Sequence, residues 1–171
     1  RSGAVDVTDL VGGDVKESFS DVAIEVRNFN SLLSVIPFRA REWEMALIHA
    51  GADTPDAIVA KLLDWIDSDD ANRVLGGETG FYQSQYGLPD FPFNRAMQTS
   101  AELFLIPGFS EQVWDTLSEN LVMVGVVDRD LVHAPDWLVS AYLSTAELRE
   151  IREMREGSRY SWGEQVRFYA S

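Results

Sequence analysis

Cysteine is absent from the 171 residues. That removes disulfides, thiolate metal sites and a cysteine nucleophile together, and it fits a secreted or a cytosolic chain equally well. Histidine is scarce, with His49 and His133 alone. His49 falls near the end of an amphipathic helix and His133 in a loop before Ala134-Pro135, and no His-Glu-x-x-His or Gly-x-Ser-x-Gly motif occurs. Positive charge is also short: 14 Lys and Arg against 28 Asp and Glu leave a net charge of −14. Such a chain repels phosphate backbones and anionic lipid, so nucleic acid and membrane surfaces are poor partners, whereas divalent cations or a basic protein suit it. No apolar run approaches the ~18 residues of a membrane span, and no signal peptide is expected in the chain as it stands. It opens on Arg1-Ser2-Gly3 without a Met and reads as a fragment of something longer.

What the chain does have is apolar content of 46%, with nine Phe, five Trp and five Tyr. That is enough to bury a core in one domain, or in a compact unit carrying an inserted subdomain. It also has one dense acidic stretch, and the rest is organised around it. In Lys61–Tyr82 an apolar helix end runs into Asp64, Asp67, Asp69 and Asp70, with Glu78 behind Gly76-Gly77. Upstream, Ile58, Val59, Leu62, Leu63 and Ile66 recur at helical spacing, and Thr54-Pro55 marks the helix start. Carboxylates crowded where a helix ends repel one another and meet the unfavourable end of the helix dipole. They need solvent, partners or a bound cation.

Around this stretch the pattern alternates between strand and helix. Val22, Ile24 and Val26 share one side of a half-buried strand over Asp21–Asn28, followed by a turn at Asn28–Ser31. Earlier still lie an apolar piece, Ala4–Val7, and a Gly12-Gly13-Asp14 turn with no nucleotide-binding context. Pro37–Ala50 is predicted helical, with Trp43, Ala46, Leu47 and Ala50 on one stripe and Gly51 as its stop. Thr99 and Glu102 form a capping box for a short helix broken by Pro107-Gly108, and Ser110 caps the next, bearing Val113, Trp114, Leu117 and Leu121. Val122–Val127 is strand-like, Ser144 and Glu147 open a helix expected to stop at Gly157, and Val166–Ala170 alternates weakly as a last strand. The sum is α+β with a helical majority.

Three chemistries compete for the acidic stretch and its surroundings. Counted from Asp67, an EF-hand loop has Asp69 and Glu78 in place, but Ala71 and Asn72 stand where a ligand and a glycine belong, so that pattern fails. Hard oxygen ligands at irregular spacing still suit Ca²⁺, and the alternative is a solvated loop whose Asp residues cap neighbouring turns. A carboxylate-dependent hydrolase pairing Asp64 with Asp67 is the competing functional reading. Finally, Ile106-Pro107-Gly108-Phe109 between two short helices has the outline of a helix-hairpin-helix, yet Ser110 and Glu111 follow with no Lys or Arg nearby. A turn that joins two helices is the plainer reading.

Taken together, these blocks resemble the K-class minor pseudopilins of bacterial type II secretion systems. The resemblance is carried by Asn28-Phe29-Asn30-Ser31-Leu32-Leu33, by Leu63-Asp64-Trp65-Ile66-Asp67-Ser68-Asp69-Asp70, and by Gly77-Glu78 with Tyr82. Pro92-Phe93-Asn94 and Ser100–Gly108 extend it over roughly residues 20–120, while Val132-His133-Ala134-Pro135 stands where the family's later N-x-N-T-A signature is expected. The resemblance implies a pilin-like antiparallel sheet with a large, mainly helical insertion: scaffold parts at residues 1–31 and 158–171, insertion at 32–157. It implies a non-enzymatic component at the pseudopilus tip, on the periplasmic side of the inner membrane, assembled with the I- and J-class minor pseudopilins. It also implies a structural calcium ion, with Asp64, Asp67, Asp69, Asp70 and Glu78 as the matching candidate ligands.

Overall fold

A computed structural model describes residues 15–19, 22–26, 28–125 and 127–168, with side chains over 28–125 and 127–157. The Ala4–Val7 piece and the Gly12-Gly13-Asp14 turn lie outside the described residues. The chain divides into two compact units, Arg1–Ser31 with Arg129–Ser171, and Leu32–Asp128. Helices dominate over strands in the described residues, as an α+β fold with a helical majority requires.

In the first unit, β1 (Val15–Phe19) and β2 (Val22–Val26) form an antiparallel hairpin in the register Val15↔Val26 to Phe19↔Val22. Asp130 organises the other end of this unit: its carboxylate accepts from Asn28 Nδ2 at 2.6 Å and from the amides of Val132 and His133, and it lies 2.6 Å from His133 Nδ1. Two helices, α5 (Asp136–Val139) and α6 (Thr145–Phe168), complete the unit. Ser144 and Glu147 cap α6 reciprocally, Ser144 N donating to Glu147 Oε2 at 2.8 Å and Glu147 N to Ser144 Oγ at 3.4 Å. Arg155 ties α6 down by donating to the carbonyls of Leu131, Val132 and Ala134 and to Asp136 Oδ1. The helix does not stop at Gly157, and the strand expected from Val166 is helical through Phe168. An interior glycine costs only about 1 kcal/mol, which the flanking Arg, Glu and Met residues offset as good helix formers.

In the second unit, β3 (Leu33–Ile36) and β4 (Leu121–Val124) bracket the helical block and pair with each other. Their pairing is parallel, Leu33↔Leu121 to Ile36↔Val124, whereas β1 and β2, in the part expected to form an antiparallel scaffold sheet, pair antiparallel. Parallel strands need a long crossover, and the whole helical block supplies it. Leu33, Ser34 and Val35 are all buried, so β3 is covered on both faces and shows no alternation in sequence.

α1 (Ala40–His49) buries the predicted stripe, and Trp43 adds a hydrogen bond from Nε1 to the Ser34 carbonyl at 3.0 Å. α2 (Pro55–Ile66) starts at Thr54, whose side chain makes no cap bond. Its buried face is Ile58, Leu62 and Trp65 with Ala57, Val59 and Asp64, while Leu63 and Ile66 are only half-buried. The buried face is thus rotated from the one the apolar spacing suggests, because Trp65 and Asp64 both turn inward. A 3-10 turn (Ser100–Leu105) and α4 (Glu111–Leu117) follow, the latter capped by Ser110 Oγ accepting from Val113 N at 3.3 Å. Gly108 between them has φ +99, and a side chain there would meet Ile58 Cγ1 at 3.0 Å. The turn is pressed onto α2, as a hairpin that joins helices should be.

After the acidic stretch comes α3 (Thr79–Tyr86), which ends on Gly87 at φ 71. Its Tyr82 packs edge-on to Trp65 at 5.8 Å, and Phe91 and Phe93 close round the same indole at 5.5 and 5.1 Å. Trp65 Nε1 donates to Glu102 Oε2 at 3.1 Å, and Glu102 also accepts from Arg95 and from the amides of Gln98 and Thr99. Burial raises the Glu102 carboxyl, but these hydrogen bonds prevail and hold it below the usual glutamate range. Its ionised form therefore stabilises the fold at neutral pH, and that contribution fades as pH drops through the folded value, below the ordinary glutamate range near ~4.3. Glu102→Gln should lose less stability than the parent between neutral pH and pH ~3. Urea unfolding at several pH values checks this, and parallel pH profiles would sink it.

Candidate metal centre

The helix that carries the core also carries the centre. Asp64 lies on the inward face of α2 and is fully buried, which a carboxylate tolerates only when paired. Gly77 N donates to its Oδ2 at 2.8 Å, Arg73 N to the same oxygen at 3.3 Å, and Arg73 Nη1 to Oδ1 at 2.6 Å. Asp67 sits at the helix C-cap with extended backbone (φ −77, ψ −177), and Arg73 Nη1 bonds its Oδ2 as well. Glu78 holds the N-cap position of α3, its carbonyl accepting from Phe81 N and Tyr82 N at 2.8 and 3.1 Å. Carboxylate oxygens of Asp64, Asp67 and Glu78 lie within 4.8 Å of one another.

The connecting loop is built to bring them there. Asp69 Oδ1 accepts from Ala71 N at 2.8 Å, an Asx turn that reverses the chain, and Asn94 Nδ2 donates to Asp69 O and to Asp70 Oδ1 at 3.2 Å. Gly76 N then bonds the Arg73 carbonyl at 3.0 Å. A Cβ on Gly76 would stand 2.0 Å from Asp64 Oδ2, and one on Gly77 would stand 2.6 Å from the Phe81 ring. The Gly-Gly pair is there because the backbone passes against the buried carboxylate.

The electrostatics are unbalanced. Three carboxylates face one guanidinium, and only Asp64 and Asp67 are bonded to it. The Arg73 guanidinium is held protonated well above its ordinary value, by its hydrogen bonds to Asp64 and then Asp67. Glu78 is 6% exposed, and neither of its carboxylate oxygens has a hydrogen-bond partner; Asp67 Oδ1, Asn94 Oδ1 and the Tyr82 hydroxyl are buried and unpartnered too. Burial pushes the Glu78 carboxyl up to about 7, with the charges of Asp64, Asp67, Asp70 and Asp69 adding to it. Buried oxygens without donors are costly, and a set composed wholly of oxygens is the kind that Ca²⁺ accepts. The residues present fit such an ion.

Of the five acids singled out from sequence, Asp64, Asp67 and Glu78 come together, whereas Asp69 and Asp70 are exposed and stand outside that group. Arg73 and Asn94 were not foreseen as parts of the centre. Arg73 had one signal: it is the sole basic residue between Lys61 and Arg95. His49 and His133 lie outside the cluster.

The fold and the centre together define an acidic, mainly helical α+β protein with three carboxylates converging at the end of α2. Residues 16–125, from β1 through β4, match the family described as Type II secretion system (T2SS), protein K. The chain belongs to that family. It is also 38% identical over 82 residues to an Escherichia coli (strain K12) protein provisionally named type II secretion system protein K. That alignment covers 47% of this chain and 25% of the relative, so the chain spans about a quarter of the relative's length. Among the described residues no helix is long and apolar enough to cross a membrane.

Proposed function

We propose that the protein is a minor pseudopilin at the tip of the type II secretion pseudopilus, an assembly component without a catalytic role whose acidic loop is stabilised by calcium. The observation that carries the calcium reading is Glu78, buried with both oxygens unpartnered beside Asp64 and Asp67. These three side chains would hold the ion, with Asp69 and Asp70 adding negative charge nearby. The ion supplies the positive charge these three carboxylates call for, and it ties the end of α2 to the start of α3. Family membership supports the secretion role. On this reading the β1–β2 hairpin belongs to a pilin-like scaffold on the periplasmic side of the inner membrane. The helical block is then the bulky head that admits no further subunit above it, with I- and J-class minor pseudopilins below.

The hydrolase alternative gains nothing from the geometry. It needs an acid pair open to substrate, but Asp64 is fully enclosed, with both its oxygens engaged by Arg73 and Gly77.

Thermal unfolding with EDTA and then with added CaCl₂ tests the calcium reading. At a hundredfold excess over Kd the ion should add about 2.7 kcal/mol, and Asp67→Ala with Glu78→Ala should abolish the gain. A melting temperature that ignores calcium removes that part. Mixing with I- and J-class head domains, followed by light scattering, tests the assembly: no complex at tens of micromolar would remove the tip placement.

A further inference from the structure

Resting on the reading of Asp64, Asp67 and Glu78 as a cation site, we infer that Arg73 is a built-in placeholder: it clamps the acids in the cation-free protein and leaves when a divalent cation enters. The guanidinium uses a single nitrogen, Nη1, to bond both Asp64 and Asp67, the carboxylates that converge with Glu78. A planar fork on a side chain reaches only the acids lying in its plane, and Glu78 keeps two buried oxygens unpartnered. A spherical ion takes six to eight oxygens from all directions and can gather the third acid as well. Both cations cannot stay. A divalent ion among these oxygens would sit within a few ångströms of a guanidinium bonded to the same carboxylates, and like charges at that range repel strongly.

The surroundings suit an exchange. Asp64 keeps its hydrogen bond from Gly77 N when Arg73 departs, so the frame of the site survives. Arg73 has a way out, since its side chain is 39% exposed and the next residue, Val74, is 90% exposed. Leu75 is held at φ 65, a left-handed conformation that non-glycine residues rarely adopt. Arg73's two ion pairs tie its side chain to the end of α2, while the Gly76 N to Arg73 O bond holds the turn through the backbone and survives the exchange. The free energy of the cation-free clamp is thereby set against ion binding, and the apparent affinity is reduced by the fraction of molecules in which Arg73 occupies the site.

Calcium titration of the full chain and of Arg73→Gln, followed by calorimetry, reads this out, together with the Arg73 Nε–H resonance of the unmodified protein. The placeholder predicts that Arg73→Gln binds Ca²⁺ about tenfold tighter. It also predicts that added Ca²⁺ moves the Arg73 resonance to that of a solvated arginine. Equal or weaker binding by the variant, or a resonance that stays put while the unmodified protein binds, overturns the placeholder and leaves the cation site standing. If neither protein binds calcium, the cation site falls and the placeholder with it. Should Arg73→Gln not fold, the resonance of the unmodified chain decides alone.

Discussion

Asp64→Ala should lower the unfolding free energy by roughly 1–3 kcal/mol in calcium-free buffer, the usual cost of leaving a buried hydrogen-bonding group unsatisfied. The loss comes from what the substitution strands rather than from one bond. Arg73 keeps only Asp67, and the Gly77 amide, buried beneath the loop, loses its acceptor. A cavity also opens against Gly76, whose backbone lies against the Asp64 carboxylate. Asp64→Asn keeps the shape and an acceptor for Gly77, so it should cost less than the alanine. Urea unfolding of the three proteins measures the order. An alanine variant as stable as the parent would mean that the buried carboxylate does not hold the loop.

Trp65→Ala should be more damaging, with a loss of about 3–5 kcal/mol from the transfer and cavity terms of a buried indole. Trp65 is fully buried and is the ring on which Tyr82, Phe91 and Phe93 converge. Removing it also takes the Nε1 donor from the buried Glu102 carboxylate. Trp65→Phe separates the two effects, since it keeps most of the ring contacts and loses only the hydrogen bond, which is worth about 1.5–3 kcal/mol when the acceptor is charged. If calcium stabilises the Trp65→Ala variant as much as the parent, the aromatic cluster and the ion centre fold independently. A diminished calcium response would show that the cluster positions Glu78 through α3.

The elements that local chemistry marks strongly are where the residues put them: the stripe of α1, the Ser110 cap, the Ser144–Glu147 box and the Val22–Val26 strand. Elements whose identity depends on distant partners carry no such mark. β3 is buried on both faces and pairs in parallel with a strand from the far end of the helical block, a partner that no local period announces. Gly157 has the look of a stop, yet α6 runs past it, because one glycine among strong helix formers costs too little to end a helix. α3 has no side-chain cap to announce it, and its Tyr82 packs on Trp65, a contact that only the fold supplies.

The acid centre divides along the same line. Residue spacing by itself established that carboxylates crowd the end of α2, that a Gly-Gly pair follows, and that hard oxygen donors are the only ligands on offer. Which acids converge, and that Arg73 stands between two of them, was decided by tertiary structure. Asp64 turns inward with Trp65 because the core needs the indole, and the returning loop then delivers Arg73 and Glu78 to a carboxylate already out of water. Desolvation is a property of the folded environment, and no list of residue types contains it.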